Sequence, residues 1–329
     1  TGTSDSDGHG TAVASLAAGA AAGATGVAPA ADLLSIRVTN SEGTSDMFTL
    51  AQGIQAAVDA GAKVINISLG AYSDSLVLSQ MTEYATSNGS VIVPPAGTDQ
   101  STQLTWPAAD PRVISVGAVD AVGQQVNFSN SGAGLSAPAP GLGLNTAWPG
   151  NQIVSFDGTS GSAPLMAGAI AAVMSLNPNL TASQAASMLT TYSADAGAPG
   201  QDPDYGFGTV DIGYANNHAN LNYYDTSISS QFFSPEEGRM EFVVQNRSGQ
   251  GVGGMRLDVN AAGVAQSVEV PYLEAGARWS YIVPVDQARL NTESELTYTS
   301  RLSNPNGIID ENPGNNRKAS VVFKPVPAS

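Results

Sequence analysis

Apolar and polar residues alternate along this chain with two different periods, and the change of period divides it. In the early part, segments of helical spacing and short continuous apolar runs follow one another. Residues 9–22, rich in Ala and Gly, predict a helix suited to close packing. Leu33-Leu34-Ser35-Ile36-Arg37-Val38 predicts a short buried strand. Leu50, Ile54, Ala57 and Val58 share one face of a helix between Asp46 and Gly61, with the glycine as its stop. Val64 to Gly70 then predicts a strand, Ser75 to Asn88 a helix, and Val91-Ile92-Val93 a strand. This alternation argues an α/β fold: a mostly parallel sheet of right-handed βαβ units, with functional groups at the carboxyl ends of the strands.

Later a strand-like run, Gln152 to Phe156, enters a tight Gly158-Thr159-Ser160 turn and an apolar segment that reaches Leu176. Ala163, Leu165, Met166, Ala167, Ile170, Ala171, Val173 and Met174 cover more than one stripe, so this helix is expected to be buried on most sides. Pro164 fits its first turn, where a missing N–H costs little. From about Asn216 to Tyr224 the chain turns to Asn and Tyr without helical period, which reads as a linker. Beyond it, period-two runs at 240–244, 255–259, 267–270, 279–283 and 319–323 are separated by turn-rich stretches. Such spacing predicts a β-sandwich, and hence two domains, 1–219 and 222–329.

Composition narrows the function. The 329 residues suffice for one large and one small domain. No run approaches 18 uninterrupted strongly apolar residues, so no membrane span is expected. With no cysteine, disulfides and thiolate chemistry are excluded. The net charge of −16 is uneven: residues 1–221 carry three basic and sixteen acidic side chains, the remainder nine and twelve. Nucleic acid is therefore not an expected partner.

Candidate chemistry lies in two stretches. Ser160 falls at a helix N-terminus, where unpaired amides and the helix dipole can stabilise an oxyanion beside the hydroxyl. Gly-Thr-Ser alone reads as an ordinary turn before a core helix. The other stretch, Asp7-Gly8-His9-Gly10-Thr11-Ala12-Val13-Ala14, sets a His between two glycines at the start of a small-residue helix. The other His of the chain, His218, sits in an Asn-rich stretch with no evident partner.

Together the two stretches resemble the subtilisin-like serine peptidases. Further matches are Ser68-Leu69-Gly70, Pro95-Ala96-Gly97, Trp106-Pro107 through Ala118, Asn127 to Gly132, and Tyr205-Gly206-Phe207-Gly208-Thr209-Val210-Asp211. The resemblance implies Ser160 as nucleophile, His9 as general base, and Ser68, Leu69, Gly70, Ala96 and Gly97 as the backbone walls that hold an extended polypeptide substrate. It departs at Thr98, where the family has Asn as oxyanion donor, and a catalytic Asp on an early strand has no counterpart. The chain is thus expected to start inside the peptidase domain, with Asp5 and Asp7 in the loop before His9. Thr105 is expected near the base of the main specificity pocket.

The family needs no cofactor for its chemistry. Structural calcium is common in it, yet Asp202 with Asp204 and Asp310 with Glu311 show no ligand spacing. Asp310-Glu311-Asn312-Pro313-Gly314-Asn315-Asn316 resembles the closing pattern of Ig-like, adhesion-related bacterial domains, which implies surface or polymer contact. The expected function is a secreted, extracellular serine endopeptidase. The alternative is an inactive relative that binds peptides or surfaces.

Overall fold

A computed structural model describes residues 5, 7–73, 75–305 and 307–324. These form two compact units that divide the chain at three places. One unit comprises the residues up to Thr191 with Asp202–Ile212, and the other comprises Tyr192–Gln201 with the residues from Gly213 onward. The expected single boundary near residue 220 is therefore replaced.

In the first unit, α1 (His9–Ala18) is held at its start by Asp5, whose carboxylate accepts the backbone N–H of Gly8 at 3.0 Å and of Thr11 at 2.7 Å. It stops at Gly19, short of the expected residue 22, and the chain makes a two-rung hairpin, β1 (Ala20–Ala21) and β2 (Ala24–Thr25). The expected strand over 33–38 does not form. That stretch makes no strand ladder; Leu33 and Leu34 are 57% and 53% exposed, while Ile36 and Val38 pack toward Gly53. An apolar run becomes a strand only where a neighbour accepts its hydrogen bonds.

Gly53 lies in α2 (Met47–Asp59), which Asp46 caps through the amides of Phe48 and Thr49. There follow β3 (Val64–Asn66), α3 (Leu76–Ser87), β4 (Val91–Val93), β5 (Val116–Val119) and β6 (Ala137–Pro140). β3 pairs with β4 and β5 with β6, all parallel. The amides of Val116 and Ala96, bonded to Pro94 O and Val116 O, join β4 to β5, so the four strands run as one parallel row. Ile65 and Ile92 meet α2 and α3 in one apolar cluster. An antiparallel hairpin, β7 (Leu144–Trp148) and β8 (Gln152–Phe156), then leads through Asp157 and Gly158 into α4 (Thr159–Leu176).

As the pattern predicts, α4 is buried on most sides, and it runs against β3 to β6. It is long and apolar enough to cross a membrane by length and composition, but most of it is buried within the protein. α5 (Ala182–Thr191) packs beside it.

After residues 192–201, the second unit resumes within α6 (Ile212–Asn217), which reaches the start of the expected linker, and continues with β9 (Thr226–Ser234), β10 (Arg239–Asn246), β11 (Arg256–Ala261), β12 (Val264–Glu269), β13 (Arg278–Pro284), α7 (Gln287–Glu293), β14 (Glu295–Ser303) and β15 (Arg317–Phe323). All ladders are antiparallel, in a three-stranded sheet ordered β13-β10-β9 and a four-stranded sheet ordered β12-β11-β14-β15. Ile228, Phe242 and Val244 from one sheet and Leu257, Tyr298 and Leu302 from the other fill a common core.

Polar contacts tie residues 192–201 into this unit. Tyr192 stacks on His218 at 3.7 Å, Arg278 pairs with the buried Asp195 at 3.2 Å, and Ser230 donates to Gly197 O at 2.6 Å. His218 is thus partnered, and its Nδ1 also donates to Ala215 O at 2.6 Å.

Candidate active site

The β7–β8 hairpin sets the geometry of the site because it touches α1 and runs directly into α4. On the α1 side, the Trp148 ring covers Gly8: a β-carbon there would stand 2.3 Å from ring atoms, and φ is +87°, so only glycine serves. Nearby, Ala147 N–H donates to Ser15 Oγ at 3.0 Å. On the α4 side, Phe156 lies against Gly161, whose β-carbon position is 3.1 Å from the ring edge. The same Phe156 ring lies 5.6 Å, centroid to centroid, from the imidazole of His9. His9 and the first turn of α4 therefore flank one aromatic side chain. Both His9 and Ser160 are half-buried. Among the described residues, no hydrogen bond joins the His9 ring to Ser160 Oγ, and no carboxylate reaches the ring.

The turn into α4 is built around Gly158 at φ +129°. The space where its side chain would project is bounded by Ser160 N at 3.8 Å and Thr98 Oγ1 at 3.9 Å. Thr98 thus stands at the N-terminus of α4, and its hydroxyl bonds that of the buried Thr159 at 2.9 Å. Ser68, just past β3, donates to Ser160 O at 2.9 Å and accepts from Asn66 Nδ2 at 3.0 Å.

Ser68, Leu69 and Gly70 leave the carboxyl end of β3, and Ala96 and Gly97 that of β4. Between these two stretches runs the backbone of 105–106. Thr105 N–H donates to Ala96 O at 3.0 Å, and Trp106 N–H donates to Ala71 O at 2.7 Å. The buried Thr105 side chain fills the gap so closely that β-carbons on Gly70 and Gly97 would meet it at 2.5 and 2.9 Å.

Sequence reading gave no separate role to Asn130, Tyr72, Asp99, Thr159 or Phe156. Asn130 is fully buried; it accepts the amides of Asp99 and Ser101 and donates to Tyr72 Oη and Gln103 O, which fixes the loop after Thr98. Tyr72 in turn donates to Asp99 at 2.8 Å.

The acidic pairs considered for calcium do not form a cage. Asp202 Oδ1 accepts the amides of Asp204 and Tyr205, and Asp204 accepts from Ser131. Asp310 accepts from Thr226 N, Asn304, Asn316 and Asn312 N. Among the described residues, no three acidic or histidine side chains converge on a metal position.

Comparison with known proteins agrees with this arrangement. The model of the Subtilase family matches residues 1–208. Subtilisin BL of Lederbergia lenta is 37% identical over 179 residues, 54% of this chain and 66% of that protein. Subtilisin DY of Bacillus licheniformis is 38% identical over 199 residues, 59% and 73% of the two chains. Among solved structures, MycP1 without its N-terminal propeptide superposes with a TM-score of 0.59 at 30% identity, covering 66% of this chain and 81% of the other. A cold adapted subtilisin-like serine proteinase does so with a TM-score of 0.56 at 26% identity, covering 64% and 74%. The chain spans just under two thirds of the length of Subtilisin BL and less than half that of the Alkaline protease of Shouchella clausii. Over the span that contains both His9 and Ser160, the chain belongs to the subtilase family.

Proposed function

We propose that this chain is the body of a serine endopeptidase that cleaves polypeptides by acyl transfer. The observation that carries the reading is that His9 and the Ser160 turn flank one ring, Phe156. Ser160 Oγ attacks the scissile carbonyl carbon while His9 takes its proton; the C–N bond then breaks as His9 returns the proton to the leaving amine. Water repeats the sequence on the acyl-enzyme. The developing oxyanion sits in the space beside Gly158, between the Ser160 amide and the Thr98 hydroxyl. Ser68, Leu69 and Gly70 on one side and Ala96 and Gly97 on the other hold the substrate as an added strand.

No carboxylate orients the His9 ring among the described residues; β3 has one strand neighbour and residues 33–38 have none there, so the parallel row is open on that side. We assign the two-sheet unit as an Ig-like, adhesion-related domain that contacts a surface or polymer, and the whole as a secreted, extracellular protein. Neither acidic pair is assigned structural calcium. The competing reading, an inactive peptide-binding or adhesion module, is favoured by one observation: no hydrogen bond reaches the His9 ring among the described residues.

A fluorophosphonate probe tests the choice, applied to this chain and to a version extended by an Asp-bearing strand. Ser160 is expected to be labelled, with His9→Ala slowing labelling about 10²–10⁴-fold and Ser160→Ala abolishing it. Failure of the probe to modify Ser160 in both proteins overturns the enzyme reading.

A further inference from the structure

The four-stranded sheet of the second unit carries an open groove of about 800 Å³ on the face opposite the core. Its floor follows the ladder register: Ser267, Asp258, Arg301 and Arg317 lie side by side across β12, β11, β14 and β15, and Ala265, Asn260, Thr299 and Ala319 form the next rung. The alternating residues Leu257, Val259, Tyr298 and Leu302 point the other way, into the core.

The charges in this groove are unevenly satisfied. Asp258 is engaged by Arg256 at 3.3 Å and by Ser267 Oγ at 2.7 Å. Arg301 and Arg317 are exposed, directly opposed, and without an ion pair or side-chain hydrogen bond among the described residues. The other arginines of the unit are all paired: Arg239 with Glu237, Arg247 with Asp225, Arg256 with Asp258, Arg278 with Asp195 and Arg289 with Glu293. Like charges on directly opposed strand positions destabilise a sheet. In a chain of net charge −16, acidic partners are abundant, yet Arg301 makes no ion pair with its rung neighbour Asp258, which Arg256 engages, and Arg317 on the edge strand has no acidic rung neighbour.

We propose that this groove binds a carboxylate-bearing polysaccharide. Guanidinium forks engage carboxylates bidentately, and two of them one strand apart suit acidic groups repeated along a chain. Across its four strands the groove measures roughly 14 Å, enough for a short run of sugar units. Asn260 and Thr299 line it and supply donors and acceptors for hydroxyl groups. It contains no aromatic side chain, so it offers no stacking platform for nucleobases or neutral sugar rings. β11 and β14 are paired on both edges, so a peptide finds no free backbone ladder there.

The proposal deepens the surface-contact reading of this unit and is independent of the peptidase chemistry. The test is affinity electrophoresis of the full chain, with Ser160→Ala in the background, through gels containing polygalacturonate, dextran or polyglutamate. Retardation by polygalacturonate alone is expected, weakened at least ten-fold in the double variant Arg301→Gln, Arg317→Gln and unchanged in Arg37→Gln. Equal retardation of the double variant, or none of the parent, overturns the proposal. Stronger retardation by polyglutamate would make the ligand an acidic peptide, and retardation by dextran would leave surface contact standing without a role for the arginines. None of these outcomes touches Ser160 labelling, which judges the peptidase reading separately.

Discussion

At the scale of single residues, Thr105 occupies the gap that Gly70 and Gly97 leave between the two stretches proposed to hold substrate. On the peptidase reading, a large P1 side chain meets this obstruction and a small one does not. Thr105→Gly is expected to shift the kcat/KM ratio of a Phe over an Ala P1 substrate upward by about 10–200-fold, the range that a single methylene is worth in an apolar pocket. An unchanged ratio on a matched pair of peptides would remove Thr105 from the pocket. Gly8 and Gly158 are legible in the sequence through the backbone turns they must make. Asn130 lies in a stretch that matches the family pattern, but no role shows in it, since its importance lies in satisfying amides and a hydroxyl that only the folded loops bring together. The same holds for Phe156, which reads as a strand residue until its ring is seen between His9 and Gly161.

At the scale of elements, helices were read more faithfully than strands. α2 and α3 carry side-chain caps and apolar stripes, and α4 a long apolar run, inside their own sequence, whereas a strand depends on its neighbours. β9 was missed because Thr226, Ser227, Ser229 and Ser230 are buried polar residues and leave no alternation to see. β14 alternates strictly in burial, but it buries Ser300 alongside Leu296, Tyr298 and Leu302, which weakens its apolar signal. The Asp310 motif was legible as a pattern and not as a mechanism. Its carboxylate fastens the β14–β15 connection to the start of β9 through Thr226 N at 3.2 Å, Asn304 Nδ2 at 2.9 Å and Asn316 Nδ2 at 2.8 Å. Removing it strands several donors at once, so Asp310→Ala is expected to cost about 3–4 kcal/mol. Asp46→Ala, which removes an exposed helix cap, is expected to cost about 1 kcal/mol. Urea unfolding of both variants decides: a smaller loss in Asp310→Ala than in Asp46→Ala would mean that the knot holds nothing.

At the scale of the whole molecule, hydropathy and periodicity announced two parts but not how the chain distributes itself between them. The segment Tyr192–Gln201 belongs with the two-sheet unit although Asp202–Ile212 returns to the first. Its Asp195 is almost fully buried; burial pushes the carboxyl upward in pKa, against the Gly200 amide and Arg278 that favour its ionised form. No local pattern signals such an exchange, because ten residues of loop carry no periodicity. A single proteolytic cut near Leu221 is therefore expected to leave the two products associated, co-eluting on gel filtration until denaturant is added. A C-terminal product that elutes alone with an unaltered melting transition would contradict this. For recombination, whether natural or in the laboratory, the three crossings set a stricter condition. A single crossover at residue 222 would deliver Arg278 without Asp195 and Ser230 without the Gly197 carbonyl. The region can be exchanged between relatives only by a two-block transfer that moves residues 192–201 together with the C-terminal block.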